Sequence, residues 1–576
     1  MNNSIDMANE IWKEYQQGIN YFRKKGLDKE WEDCENFYEG NQWPQATKRT
    51  KAMPRPVINV CSMIADNKKA GILSGKLKMI YQPAEMFGDA FERAEQGADL
   101  FTRFAEYVGK ELKQDKLDDE AQSYATQLGS YVYHYYWDTT ISGGMQTPYV
   151  GGLRAEMIHP KNFIVHNPME YDVQKQKYII IASCEPLASV IKLAKKNKIP
   201  TWNLIGKDTD MDDTEDLEIS VCTVLTKYYR ENGKVVWVKT TQNSLVTNPT
   251  YWQPDIGKVK FDESKTDEEE VAEPDKGEKE TDGYFRKQLY PVVFKYHKKR
   301  NNCAYGIGEI IQSIPNNKAI NFSLGMMLLS VQQTAWPKMI QKIGALANQQ
   351  ITNEPGEIVT DYTKGQGWGV KYLETPGFNS QTLLLTDKII DLTRTTTGST
   401  EVVTGEVLGA NMAASAIIAL QNQAKKPIEM YQKGLAKAYE EIGKIYEQFF
   451  KYYYNDGRMF SYTDDDNQQY VAQMYGSEYQ DIDYSLSVEV GQAGTYSDSL
   501  TVSLLDNLVG TQTIDMDDYI ELYPDNIMTF KPKLKRIRQK RLEEMQQQLA
   551  MQQAAQQGIP QLPQQMPNDI SQNIIQ

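Results

Sequence analysis

At 576 residues the chain is too long for a single hydrophobic core, so several structural regions are expected. Its 40% hydrophobic and 24% charged residues are ordinary globular usage, and a formal charge of −14 argues against a protein that grips DNA tightly. Cys34, Cys61, Cys184, Cys222 and Cys303 are scattered with no CxxC pair, which predicts free thiols and argues against structural zinc.

The polar opening Met1–Asp6 predicts no secretory signal, and no apolar run of about 18 residues predicts a membrane span. The 36 tyrosines, against 16 phenylalanines, are expected at wet, extended interfaces rather than in a dry core. Residues 5–26 place Ile11, Trp12, Tyr15, Ile19 and Phe22 on one side, which predicts an amphipathic helix. A second helix is expected over 28–39, with Gly40 and Pro44 as punctuation. Arg55-Pro56-Val57-Ile58-Asn59 leads into a helix ending near Gly75, and Lys76–Gln82 reads as a strand. Residues 89–129 read as mostly helical. Short strands are predicted at 130–137, 149–158, 162–166, 177–184, 218–230 and 233–241, with a helix at Leu187–Asn197. This describes an α+β region, helices first and then a small sheet. Residues 258–283 are acidic with almost no apolar content, so an exposed, mobile loop is expected there. Leu289–Tyr296 reads as the returning strand.

From Tyr305 to Thr334, Ile307, Ile310, Ile311, Ile314, Ile320, Leu324, Met327, Leu328 and Val331 recur at helical spacing, with a kink or break expected at Pro315. A Gly/Pro-rich β excursion follows over Trp336–Phe378. Within it Trp336–Ile340 is expected to pair with Glu357–Thr360. Then come a short helix, Gln381–Arg394, a Thr/Gly loop, Thr395–Thr400, and one long helix, Met412–Tyr454, kinked at Pro427. Such a helix would be roughly 65 Å long. It needs partners along its whole length, from neighbouring subunits or a large wrapped domain. An acidic loop at Asp464–Asp466, a strand at Tyr484–Val490 and helices over 497–509 and 515–522 follow. A basic run over 531–541 then leads into a Gln-rich end, expected to be disordered or weakly helical.

No catalytic equipment is legible. Gly71-Ile72-Leu73-Ser74-Gly75-Lys76-Leu77 is one residue short of a phosphate loop, and Leu77 stands where a Ser or Thr would hold Mg²⁺. Gly306-Ile307-Gly308 lacks the third glycine of a dinucleotide loop. His134, His159, His166 and His297 have no clustered further ligands, so surface or packing roles are expected. Neither a metal nor a cofactor is predicted.

Phe37-Tyr38-Glu39-Gly40-Asn41-Gln42-Trp43, Arg55-Pro56-Val57-Ile58-Asn59 and His159-Pro160-Lys161-Asn162-Phe163 come first in an ordered set. Tyr305-Gly306-Ile307-Gly308-Glu309 with Asn321, Thr404-Gly405-Glu406 and Ala413-Ala414-Ser415-Ala416-Ile417 complete it. Across about residues 30–520 this set resembles the portal proteins of tailed double-stranded-DNA bacteriophages. The acidic 258–283 stretch and the Gln-rich end depart from that pattern. The resemblance implies an α+β, mainly helical chain. Its parts would be a wing (1–304), a stem helix (305–335), a clip (336–378), a second stem helix (379–397), a tunnel loop (398–411), a long helix returning to the wing (412–494), a crown (495–545) and a Gln-rich tail (546–576). It further implies a heterologously closed ring of typically about twelve subunits at one capsid vertex of the virion, assembled in the host cytoplasm. Double-stranded DNA would be packaged and ejected through its channel. Terminase, head-completion or tail adaptor proteins, and major capsid and scaffold proteins would be its partners.

The implied tunnel loop comprises Thr404, Gly405, Glu406, Val407, Leu408, Gly409, Ala410 and Asn411. Lys388 and Arg394 would lie on the second stem helix, and Trp336, Lys338, Lys342 and Trp368 would dock partners at the clip. Lys388 and Arg394 stand about 240° apart around a helix, so one is expected at the channel and one at a neighbouring subunit. Pairing with Asp387, Asp391 or Glu401 is the alternative. On function, the alternatives are a DNA-packaging or DNA-processing enzyme, an ATPase or nuclease, and another head–tail connector ring.

Overall fold

The computed structural model describes residues 2–48, 51, 53–84, 89–144, 147–206, 220–254, 288–335, 339–343, 369–372, 381–398, 414–463, 469–491, 495–511 and a few single positions from 519 to 541. The acidic 258–283 stretch, the tunnel-loop residues Thr404–Asn411 and the Gln-rich end lie outside the described residues.

The helices form where periodicity and end signals agree. α1 (Asn2–Lys25) and α2 (Leu27–Glu39) bury Ile11, Phe22, Trp31 and Phe37. Gly40, in the left-handed conformation, closes α2. Asn59 caps α3 (Val60–Ile72) by accepting from the Ser62 amide at 3.1 Å. β1 (Lys76–Pro83) follows, then α4 (Asp89–Leu112) and α5 (Gln114–Leu128). α5 ends at Gly129, φ 89°. A Cβ there would lie 2.5 Å from the Ile307 carbonyl carbon, so only glycine lets the two backbones approach.

The sheet region is larger than one small sheet. β2 (Ser130–Gly143) is the centre of a three-stranded antiparallel sheet. On one side it pairs with β3 (Tyr149–Ile158) and on the other with a strand from far down the chain, Val292–Tyr296. A five-stranded antiparallel sheet runs β4 (Phe163–Val165), β5 (Tyr178–Pro186), β6 (Val221–Glu231), β7 (Lys234–Thr240) and β8 (Thr250–Tyr251), with α6 (Leu187–Lys196) after β5. The strand Val292–Tyr296, β9, is followed by a hairpin of β10 (Lys298–Arg300) and β11 (Cys303–Ile307).

This hairpin corrects the expected start of the next helix. Tyr305–Ile307 is strand, and α7 runs Ile310–Ala335. Tertiary contact overrides the helical spacing of the isoleucines. The Gly306 amide donates to Ser130 Oγ at 2.8 Å, and Tyr305, fully buried, donates its hydroxyl to the Phe163 carbonyl at 2.8 Å. Pro315 does not break α7, which continues through it. β12 (Met339–Gln341) pairs antiparallel with β13 (Val370–Tyr372), a ladder the sequence does not announce, and the expected partner Glu357–Thr360 lies outside the described residues. α8 extends over Gln381–Thr397. Thr395, Thr396 and Thr397 are therefore helical rather than loop, with hydroxyls bonded back to the carbonyls of Asp391, Leu392 and Thr393.

α9 (Ala414–Tyr453) has 40 residues, about 60 Å, and contains Pro427. From Ile428 onward its apolar side, through Leu435, Ala438, Ile442, Ile445, Phe449 and Phe450, enters the main core. A hairpin of β14 (Arg458–Thr463) and β15 (Gln469–Met474), absent from the sequence reading, precedes β16 (Tyr484–Gly491). β16 pairs with β1 in the register Lys76↔Gly491 to Pro83↔Tyr484. One core cluster runs from Ala8 to Tyr484. It is rich in tyrosine, against expectation: Tyr133, Tyr135, Tyr290, Tyr305, Tyr446 and Tyr454 are fully buried. Internal acceptors make this possible, as where Tyr133 donates to Asp118 Oδ1 at 2.7 Å and Tyr290 to the Lys177 carbonyl at 2.9 Å.

The chain divides into two compact units. The first comprises 1–462 and 471–492, and the second 463–470 and 493–576. In the second, α10 (Thr495–Gly510) buries Leu505, and Tyr519 donates to Asp506 Oδ1 at 2.7 Å. Among the described residues, no helix is long and apolar enough to cross a membrane.

Candidate functional site

α7 and α8 lie side by side and run antiparallel. Asn316, near the start of α7, donates to Thr393 Oγ1 near the end of α8 at 3.0 Å, and the β12–β13 ladder lies in the chain between them. α7 contains one charged residue, Lys318, in 26 positions. Isolated in water such a helix would be insoluble, so its surfaces need cover. Val60, Ile64 and Ile320, flanked by Ile389 and Ile390, form a small cluster that covers part. The rest is open. Phe322, Met326, Leu328 and Val331 on α7 are 41–58% exposed, and Leu383, Leu384, Leu385 and Leu392 on α8 are 51–67% exposed. Eight exposed large apolar side chains on two adjacent helices exceed the scattered surface leucines of a monomer.

The base of α7 is held by a buried charge cluster. The Glu309 carboxylate, 1% exposed, meets Lys68 Nζ from α3 at 2.8 Å, Lys298 Nζ from β10 at 2.9 Å and His297 Nε2 at 2.9 Å. Its own amide donates to the Thr126 carbonyl at the end of α5. Burial alone would raise the Glu309 pKa. The His297 hydrogen bond and the two ammonium groups outweigh it and hold the carboxyl well below the usual range. Burial lowers the His297 pKa, favouring neutral imidazole despite Glu309. Lys68 is also lowered, by burial first and by the neighbouring Lys298 ammonium, against the opposing pull of Glu309. His297 stacks flat on Tyr431 of α9, with centroids 4.2 Å apart and planes 5° apart. One carboxylate therefore ties together α3, the β9–β10 corner, α7 and α9, four residues past Pro427.

A second tie lies along α7. Asn317 and Asn321 both donate to Gln42 Oε1. Their own carbonyl oxygens accept from the Val60 amide at 3.0 Å and the Ile58 amide at 2.9 Å. Gln42 donates to the Phe37 carbonyl at 2.8 Å, and Trp43 Nε1 to the Pro56 carbonyl at 2.9 Å. A Cβ on Gly325 would lie 2.9 Å from the Pro54 carbonyl oxygen, so glycine lets this N-terminal strap lie against α7. The Gln42-Trp43, Ile58-Asn59 and Asn321 segments, far apart in sequence, thus form one network.

A model of the phage P22-like portal protein family matches residues 20–576. The chain belongs to the phage P22-like portal protein family. No curated protein matches it.

In this portal protein, Lys388 is exposed on α8 and Arg394 half-buried; neither makes an ion pair among the described residues, Asp387 and Asp391 included. Lys342 is exposed beside β12, its amide donating to the Gly369 carbonyl at 2.9 Å. Trp336, Lys338, Trp368 and Glu401 lie outside the described residues, as do Thr404, Gly405, Glu406, Val407, Leu408, Gly409, Ala410 and Asn411. Gly71 of the near-miss phosphate loop is a packing residue. It sits where Ile428 of α9 approaches, and its carbonyl accepts from Gln432 Nε2 at 3.0 Å. Three of the four histidines meet carboxylates: His134 with Glu156 at 2.8 Å, His159 with Glu35 at 2.7 Å and His297 with Glu309. Sequence reasoning missed Glu309, Lys68 and Gln42 as organisers. The one visible signal was an acid immediately before a nearly uncharged helix.

Proposed function

We propose that this portal protein assembles as a closed ring of about twelve subunits at one capsid vertex of the virion, and that double-stranded DNA passes through its channel. The observation that carries this reading is the uncovered apolar surface of α7 and α8, which a neighbouring copy would bury. We assign the stem to α7 and α8, with the first helix starting at Ile310 rather than Gly306, and the clip to the segment between them. Terminase and adaptor proteins would dock at the clip through Trp336, Lys338, Lys342 and Trp368. The 398–411 segment would be the tunnel loop and the second unit the crown. On this reading the protein is a conduit and platform with no reaction of its own, and the packaging motor is a separate protein.

The test is Leu384→Glu with Leu385→Glu. Both side chains are more than half exposed, so the fold of one chain should survive. Sedimentation should show rings for the parent and subunits for the variant. Rings of unchanged size in the variant would show that these helices do not line the subunit contact.

A further inference from the structure

The strap that crosses α7 carries an unusual charge pattern. From Gly40 to Ala65 the chain has no acidic residue, yet it carries Lys48, Arg49, Lys51 and Arg55, in a protein of formal charge −14. The strap is pinned. Gln42 and Trp43 fix one foot, Ile58 and Val60 bond to α7 at the other, and Arg55 Nη1 donates to the Pro44 carbonyl at 2.9 Å to close the loop between them. Lys318, the lone charge of α7, stands next to this crossing, its ammonium 5.2 Å from the Phe37 ring centroid. Lys48, Lys51 and Lys318 are exposed and Arg55 is partly so, and among the described residues none of the four makes an ion pair.

We propose that the strap and Lys318 form a phosphate-contacting surface for duplex DNA at the base of the stem. Bases on a strap pinned at both ends, in a stretch with no acidic residue from Gly40 to Ala65, fit a repeating polyanion. The contact is non-specific, since nothing here enters a groove to read bases. The identity of the polyanion rests on the DNA-conduit reading.

The experiment is fluorescence-anisotropy titration of a short random-sequence duplex against the purified full-length protein at several salt concentrations. Four phosphate contacts predict a log–log slope of about −3.6, an affinity loss of about 150-fold between 50 and 200 mM salt. Lys48→Ala with Lys51→Ala should cut the slope to about −1.8, a loss of about 12-fold over the same range. Lys192→Ala with Lys196→Ala, two exposed lysines of α6, should leave it unchanged. An unchanged slope in the strap variant, an equal fall in the α6 variant, or poly-glutamate binding in place of DNA would each overturn the proposal. Failure of the conduit reading itself shows elsewhere, as DNA-filled heads obtained without any ring of this protein.

Discussion

Glu309 offers the sharpest test of how the stem is held. Its carboxylate is 1% exposed, and Lys68, 12% exposed, has no other acidic partner in the cluster. Lys298, 27% exposed, can extend to water and contributes least. Glu309→Gln keeps the shape but leaves the Lys68 ammonium buried without a counter-charge. Breaking a buried pair from one side costs about 3–5 kcal/mol. Lys68→Met alone should cost less, about 1.5–3 kcal/mol, since Glu309 keeps two donors. In the Glu309→Gln background the same Lys68→Met change should cost nothing or stabilise, because it removes the stranded charge. Urea-unfolding midpoints at constant m-value measure all four proteins. Simple additivity of the two substitutions would refute the shared-cluster account. The pH dependence adds a second readout. Folded Glu309 stays ionised below the 4.5 of a free glutamate, so its contribution is complete above about pH 4.5 and is lost as pH falls further. His297 is held neutral by burial, while an unfolded histidine takes a proton near 6.5, so stability also declines as pH drops below about 6.5. The Glu309→Gln protein should lose less stability than the parent on the acid side, while Glu35, Asp138 and Glu156, whose carboxyls are also held below the usual range, keep a residual acid loss.

Asn321→Ala should strip the Ile58 amide of its acceptor and cost about 1–3 kcal/mol. Hydrogen exchange should then quicken at Ile58 while the β5–β6 ladder keeps its protection; uniform quickening would contradict a local tie. Replacing 258–283 by a short Gly/Ser linker should shift melting little, since each twofold change of loop length is worth only about 0.6 kcal/mol. Loss of ring assembly in that protein would mark the stretch as an intersubunit contact. Gly405→Pro with Gly409→Pro should give assembled particles that hold less DNA or leak it early. Full-length DNA, stably retained, would remove the loop from any valve role.

Local patterns were legible where local forces decide. The apolar spacing of α1 and α9 follows from the faces they bury, and the strands from Tyr149 to Thr240 alternate or run apolar as their burial requires. The failures lie where distant residues decide. Tyr305–Ile307 opens a run of helical spacing, but Gly129 and Ser130 draw it into an extended backbone. Met339–Gln341 could have paired with any nearby β-prone run, and only the folded register selects Val370–Tyr372. The motifs at Gln42, Ile58, Glu309 and Asn321 stood out one by one. That Gln42 bonds Asn321 across 279 residues, or that Glu309 meets Lys68, has no periodic signature.

The central claim is a ring with a passage through it. Electron microscopy of the purified full-length protein tests it most directly. The account predicts closed rings of about twelve subunits with an open axial channel, the α7–α8 pairs packed against their neighbours. A monomer that hydrolyses ATP in the presence of DNA would contradict it.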